Sequence, residues 1–286
     1  MSVVAEFKHL IQRMLPGGAR RKLRRAKRRM MTVRTAPVHA SPLTDDGEVL
    51  ACLVAYNEFG GFCIPRGSSH RPAAQAIVKG KVWERQTLRL IGARAGVGDI
   101  VHAGTYYGDF LPALTASLAP GAAIWAFEPN SENFRCAEIT VKINGLNGVH
   151  LFNSGLGEAA SEARLTTREA SGAPLGGGSR IRAAGSADSE AISEVVRIVA
   201  IDDTVPPERL VTVIHLDIEM YEAQALMGAM ATLRRCRPLL ILETVPDQPW
   251  LDRHLTPLGY VRAGMVDDNT IFECRNRPGA GVPRSG

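Results

Sequence analysis

Three observations predict an α/β fold built on a mostly parallel, doubly wound sheet. From Asp99 onward, short apolar runs alternate with helix-length segments. Asp99–Ala103, Ala123–Phe127 and Val149–Phe152 are separated by one helical stretch each, the spacing of parallel strands joined by crossovers. The last strand-like runs, Tyr260–Ala263 and Thr270–Cys274, flank a turn at Asp267-Asp268-Asn269 and form an antiparallel closing pair.

Each element has a local cause. Residues 1–40 read as a basic, partly helical or disordered tail. In it Val3, Val4, Phe7, Leu10, Ile11, Met14 and Leu15 recur at helical spacing until Pro16-Gly17-Gly18. Residues 41–98 read as a small N-terminal α/β element. Glu48–Tyr56 and Gly61–Ile64 are strand-like, Pro72 suits the first turn of a helix to about Lys79, and a second helix spans Trp83 to Ala93. The main domain, 99–276, begins with the strand Asp99–Ala103, a glycine-containing turn and a helix that Pro120-Gly121 ends. Ser131 is the expected cap of a helix closed by Asn144-Gly145. Residues 156–195, with Gly176-Gly177-Gly178-Ser179, read as a flexible insertion beside the site. Strands at Val195–Ala200, Val211–Leu216 and Pro238–Leu242 follow, with helices at Tyr221–Arg234 and Trp250–Leu258, and 277–286 reads as a disordered tail.

Composition excludes several classes. The 286 residues are 45% hydrophobic and 22% charged, enough for a sizeable core and unlike a disordered or collagen-like chain. No apolar run approaches the roughly 18 residues of a membrane helix. Residues 1–34 hold 11 Lys and Arg against Glu6, a net +10, while the other 252 residues carry 23 basic and 28 acidic groups, a net −5. The overall +5 therefore belongs to the tail. Its basic run 20–29 suits an anionic membrane surface, at the inner face of a membrane, or nucleic acid; a merely solvated tail is the alternative. The 5 cysteines are an odd number without a CxxC spacing, as expected of reduced thiols in a cytoplasmic protein. Clustered acids could bind a metal, but no spacing in the sequence is diagnostic of a metal site.

In an open parallel sheet, ligands bind beyond the carboxyl ends of the strands. Those ends carry His102, Gly104, Thr105, Tyr106, Tyr107, Gly108 and Asp109; Glu128, Pro129 and Asn130; Asn153 and Ser154; His215, Asp217 and Glu219; and Glu243. The first turn, Gly104-Thr-Tyr-Tyr-Gly108, places two tyrosines where a dinucleotide site needs small residues. It suits a ligand without phosphates, such as S-adenosylmethionine, better than a nicotinamide dinucleotide. Glu128, 24 residues after Gly104, ends the next strand, where a carboxylate can accept from both ribose hydroxyls; an acid complementing the next helix dipole is the alternative. Asp217 ends a very apolar strand and suits a sulfonium cation. Glu219 and Glu222, three apart near a helix start, or His215, are candidate bases for a hydroxyl acceptor.

The runs Asp99–Phe110, Phe127-Glu128-Pro129-Asn130 with Asn133, and His215-Leu216-Asp217-Ile218-Glu219-Met220-Tyr221-Glu222 resemble the FkbM-type S-adenosylmethionine-dependent methyltransferases over roughly residues 99–245. The resemblance implies a Rossmann-like class I methyltransferase fold. It also implies O-methylation of a sugar, glycan or natural-product hydroxyl. His102 stands where family members usually carry an acid, and Met220 where they carry a glycine. A nicotinamide-dependent oxidoreductase and a non-catalytic binding protein with a degenerate cofactor fold are the rival readings.

Overall fold

The computed structural model describes residues 50–168, 172, 175–182 and 193–275. The tail 1–40, with its amphipathic stretch and basic run, and residues 277–286 lie outside the described residues. The chain opens with a hairpin, β1 (Cys52–Asn57) and β2 (Gly60–Pro65), then α1 (Pro72–Val78) and α2 (Arg85–Ala95). Next come β3 (Asp99–Ala103), α3 (Leu111–Ala116), β4 (Ile124–Phe127), α4 (Ser131–Asn144) and β5 (Val149–Phe152). β6 (Gly155–Leu156), β7 (Ser161–Thr166), β8 (Arg180–Arg182) and β9 (Ser193–Val199) follow, then α5 (Ile201–Thr204) and β10 (Val211–Leu216). The last elements are α6 (Glu222–Met227), α7 (Met230–Cys236), β11 (Leu239–Leu242), α8 (Gln248–His254), β12 (Tyr260–Val266) and β13 (Asn269–Cys274).

Seven strands form the central sheet in the order β12-β13-β11-β10-β3-β4-β5. The five from β11 to β5 run parallel, and β13 is antiparallel to both its neighbours. This is the predicted doubly wound sheet with its antiparallel closing strand. β4, β10 and β11 are buried at every residue, as strands covered on both faces must be. Alternation sorts their side chains. Val101, Ala103, Phe127, Ile214, Leu216, Leu240 and Leu242 pack with Ala225, Leu226 and Leu233 of α6 and α7. Ile100, Ala126, Val213 and Ile241 face the other way, onto Leu88 and Ile91 of α2 and Leu111 and Leu114 of α3. Among the described residues no helix is long and apolar enough to cross a membrane.

The structure corrects three local expectations. Asn130, not Ser131, caps α4: its side chain accepts from Asn133 N at 2.9 Å, leaving Ser131 as the first helical residue. The helix expected over Tyr221–Arg234 is two helices, broken at Gly228-Ala229. A Cβ on Gly228 would lie 2.0 Å from the Gly157 carbonyl oxygen, so the backbone after β6 packs directly on the break and leaves room for glycine alone. Within 156–195, the described residues are largely built into strands. β7 pairs antiparallel with β8 and β9, and β6 pairs parallel with β9. Buried positions are few in β7 and β9, Leu165 and Thr166 in one and Val196, Ile198 and Val199 in the other, so the hydrophobic alternation is nearly silent in the sequence.

Asp99 ties the amino ends of the sheet together. Its carboxylate accepts from Ala123 N at 2.9 Å, from Trp125 Nε1 at 2.8 Å, and from Arg209 Nε and Nη2 at 2.7 and 2.5 Å. Asp99 is 2% exposed and Arg209 is 32% exposed. Asp99→Ala leaves two buried N–H donors without acceptors, at about 1–3 kcal/mol each. It should therefore lower unfolding free energy in urea more than Arg209→Ala, which leaves the buried carboxylate its two N–H partners. Equal losses would mean that the ion pair, not the buried donors, sets the cost.

Candidate functional site

The carboxyl rim is set by hydrogen bonds one residue past each strand. Glu128 N donates to Phe152 O at 3.0 Å, Asp217 N to Ala103 O at 3.1 Å, and Glu243 N to Leu216 O at 3.0 Å. These bonds hold three carboxylic acids at a common height above the sheet. Gly104 crosses between them at φ +82, where a Cβ would stand 1.8 Å from the Asp217 carbonyl oxygen, so only glycine fits.

Glu128 is 4% exposed. Its Oε2 accepts from Tyr106 N at 2.7 Å, and its Oε1 from Asn130 N at 2.9 Å and Asn133 Nδ2 at 3.4 Å. Burial outweighs these donors and pushes the carboxyl up to about 7. Asp109, partly covered on the turn before α3, is pushed up to about 8 by burial and by Glu84. Asp217 is raised well above the usual range by burial and by Glu243, which ends the neighbouring strand.

One cavity of about 30 Å³ joins Ala103, Gly104, Phe127, Glu128, Pro129, Gly155, Asp217 and Ile218 to the cover formed by Leu165, Gly176, Gly177, Ser179 and Ile181. A larger groove of about 900 Å³ lies at the amino ends of the strands, lined by Pro112, Pro120, Trp125, His150 and Arg209. It holds no residue of the rim. Because ligands of parallel sheets bind at carboxyl ends, the smaller cavity is the candidate site.

Of the residues singled out in the sequence, Gly104, Glu128, Pro129 and Asp217 line this cavity. Others support it from behind. Asn130 and Asn133 hold Glu128, and Asn153 Nδ2 donates to the Glu128 and Pro129 carbonyls at 2.9 and 3.1 Å. Tyr106 gives Glu128 its amide, and its hydroxyl faces Gly176, where a Cβ would come within 2.7 Å of it. Tyr107 packs with Phe62, Ile64 and Cys136 away from the cavity; Thr105, Gly108 and Ser154 likewise do not line it.

The two histidines lie below the rim. His102 and His215 are register partners on β3 and β10, with Nδ1 atoms 2.9 Å apart and rings stacked in parallel with Phe110. Burial holds both well below the usual imidazole range, His215 at about 4, so the pair is neutral. Neither lines the cavity, because alternation turns them toward α3. The two glutamates diverge as well. Glu222 is buried and its Oε1 accepts from Ile218 N at 3.3 Å, bracing the loop after β10. Glu219, at φ +54, reaches the rim 3.7 Å from Arg180 Nε. Glu84, Leu165 and Ile181 are the parts of the site missed in the sequence.

Comparison with known proteins places these motifs in one family. A model described as the methyltransferase FkbM domain matches residues 92–259. Among curated proteins no sequence match is found. Similar solved structures include an FkbM methyltransferase from Methylobacillus flagellatus KT, at 18% identity and TM-score 0.43, covering 62% of this chain and 43% of that one. This chain thus spans less than half the length of that relative. A methyltransferase from Geobacter sulfurreducens matches at 15% identity and TM-score 0.40, over 68% of this chain and 81% of that one. A SAM-dependent methyltransferase from Aquifex aeolicus matches at 13% and 0.38, over 71% and 91%.

The raised acids have a measurable consequence. A carboxyl whose folded pKa exceeds its unfolded value stabilises the fold below the unfolded pKa and loses that contribution as pH climbs through the folded one. For Asp109, at about 8, and Glu128, at about 7, this window runs from about pH 4 to about pH 8. Melting temperature should fall across it. Asp109→Asn should flatten the fall and be the more stable protein at its alkaline end. A wild-type curve flat between those limits would contradict the assignment.

Proposed function

Because this chain belongs to the FkbM methyltransferase family, we propose that it methylates a hydroxyl of a small molecule, sugar or glycan, with S-adenosylmethionine as cofactor. The observation that carries this reading is the joining of Glu128, Gly104 and Asp217 in one cavity at the carboxyl ends of β3, β4 and β10. The donor set fits the group. Glu128 is a fixed acceptor suited to a ribose diol, Gly104 offers backbone without a side chain, and Asp217 offers negative charge to a cation. The cofactor supplies a methyl group on a positively charged sulfur, a leaving group that needs no further activation.

The residues of this chain orient and exclude. At about 30 Å³ the cavity is closed over by Gly176, Gly177 and Ser179, so this cover lifts to admit a nucleoside. Glu219 is the acid best placed to accept the acceptor's hydroxyl proton. It lies outside the strand ladder, and burial and Glu243 raise its pKa, toward the range useful to a general base. Glu222 is committed to Ile218 N. Rate enhancement then comes from alignment of the acceptor with the sulfonium and from this base.

The proposal extends to place and partners. Five free cysteines suit a cytoplasmic protein, and the basic run 20–29 suits an anionic membrane surface or nucleic acid. Removing residues 1–34 should leave cofactor affinity unchanged and abolish salt-sensitive binding to anionic vesicles and to nucleic acid.

Calorimetry with S-adenosylmethionine, S-adenosylhomocysteine and NAD tests the cofactor, and labelled cofactor with a panel of hydroxyl acceptors tests the reaction. Glu128→Ala should weaken S-adenosylmethionine binding by about 1.5–3 kcal/mol, the scale of a hydrogen bond to a charged group. Glu219→Gln should cut turnover by about 10²–10⁴ with little change in cofactor affinity. Glu222→Gln should lower melting temperature more than turnover. Tight NAD binding without S-adenosylmethionine binding would reverse the assignment.

A further inference from the structure

Two hydroxyls lie directly behind the glycine cover of the cavity. Tyr106 is 5% exposed, and among the described residues its hydroxyl is buried without a hydrogen bond of normal geometry. Leaving such a group unpaired costs stability. The backbone of Tyr106 is costly as well. It sits at φ +53, which a bulky side chain rarely adopts, and its amide is held there by Glu128 Oε2 at 2.7 Å. The second hydroxyl is that of Ser68, a buried residue on the single helical turn Arg66–Ser68 that follows β2. Gly176 locates both. A Cβ there would lie 2.7 Å from the Tyr106 hydroxyl and 3.0 Å from Ser68 Oγ. Gly177 rests on the Tyr106 ring, with a Cβ at 3.5 Å. These same two glycines form part of the cavity wall opposite Glu128 and Asp217. The glycine turn therefore separates the hydroxyls from the cavity. Arg71, at the start of α1, brings positive charge to Tyr106.

We propose that the Tyr106 and Ser68 hydroxyls bind the amino-acid end of the cofactor, and that Gly176 covers their site until the glycine turn lifts. The inference rests on the methyltransferase reading above. The cofactor has four chemically distinct parts, and this region offers a surface to each. Phe127, Pro129, Leu156, Leu165 and Ile181 give the cavity an apolar side suited to adenine. Glu128 suits the ribose diol and Asp217 the sulfonium. The amino-acid end carries an ammonium and a carboxylate, and both need hydrogen-bonding partners. Two hydroxyls can donate to the carboxylate, and the Arg71 charge beside Tyr106 favours an anion there. A turn of glycines has no side chain to leave behind when it withdraws, so its movement uncovers both hydroxyls. The closed form carries the strained Tyr106 backbone and the unpaired hydroxyl. A ligand that accepts from that hydroxyl recovers part of the cost, and the recovered part appears as affinity.

The test is titration calorimetry of the full chain with S-adenosylhomocysteine and with methylthioadenosine. Both carry adenosine and a neutral sulfur, and only the first has the amino-acid end. Tyr106→Phe keeps the ring and removes the hydroxyl. It should raise Kd for S-adenosylhomocysteine by about tenfold and leave Kd for methylthioadenosine unchanged. Ser68→Ala should act in the same direction by a smaller factor, and provides a second variant should Tyr106→Phe fail to fold. Without ligand, Tyr106→Phe should melt no lower than the wild type, because the hydroxyl it removes is unpaired. Equal weakening of both nucleosides, with a lower melting temperature, would make the hydroxyl a structural group and overturn the inference. Unchanged Kd for both, with a raised KM for the acceptor, would move the two hydroxyls to the acceptor and overturn it as well. Either result leaves the cofactor assignment intact. Binding of neither nucleoside by the wild type would overturn the cofactor assignment itself, and the inference with it.

Discussion

The crossing of Gly104 over Asp217 governs the whole carboxyl rim. β3 lies between β4 and β10, and the chain leaves it toward β4 but returns on its other side as β10. A crevice must open at that reversal. The turn after β3 runs along it so tightly that a Cβ at 104 would fall 1.8 Å from the Asp217 oxygen. With a side chain there, the Asp217 N to Ala103 O bond could not close, and the acids that ride on the neighbouring strand ends would lose their common level. The glycine serves contact between strand ends here, before it serves any ligand.

Above that crossing, the site is dominated by negative charge kept in check by protons rather than by cations. Glu128 is satisfied by three N–H groups and still titrates at about 7 because water is excluded from it. Asp109 is pushed up to about 8, and burial and Glu243 raise Asp217 well above the usual carboxylate range. Burial of these acids costs stability in the free protein wherever they are ionised.

Much of this was legible in the sequence because it depends on strongly patterned segments. The continuous apolar runs of β4, β10 and β11 have few alternatives to buried parallel strands, so Glu128, Asp217 and Glu243 could be put at the rim. What was hidden depends on direction or on distant partners. That His215 turns under the sheet to meet His102 follows from register, which one strand does not encode. Glu84 and Asp267 come to the rim from opposite ends of the chain. The cover of the cavity uses glycines at 176 and 177, and glycine-rich sequence reads as loop whether or not it packs. β7 carries too few apolar residues to announce a strand.

The loop after β10 shows where stability is given up for the site. Glu219 and Met220 have φ of +54 and +75, a region that L residues enter at a cost of order 1–3 kcal/mol each. Neither is repaid by core packing: Met220 is 71% exposed, and Glu219 carries its carboxylate out to 3.7 Å from Arg180. The strain persists because both ends of the loop are over-determined. Asp217 is pinned by its bond to Ala103, and Glu222 is buried with its carboxylate on Ile218 N. Between those anchors the backbone must reverse within a few residues, and the reversal lifts Glu219 off the strand line and out to the rim. The strained turn and the half-buried acid it brings to the rim are therefore one feature of the chain.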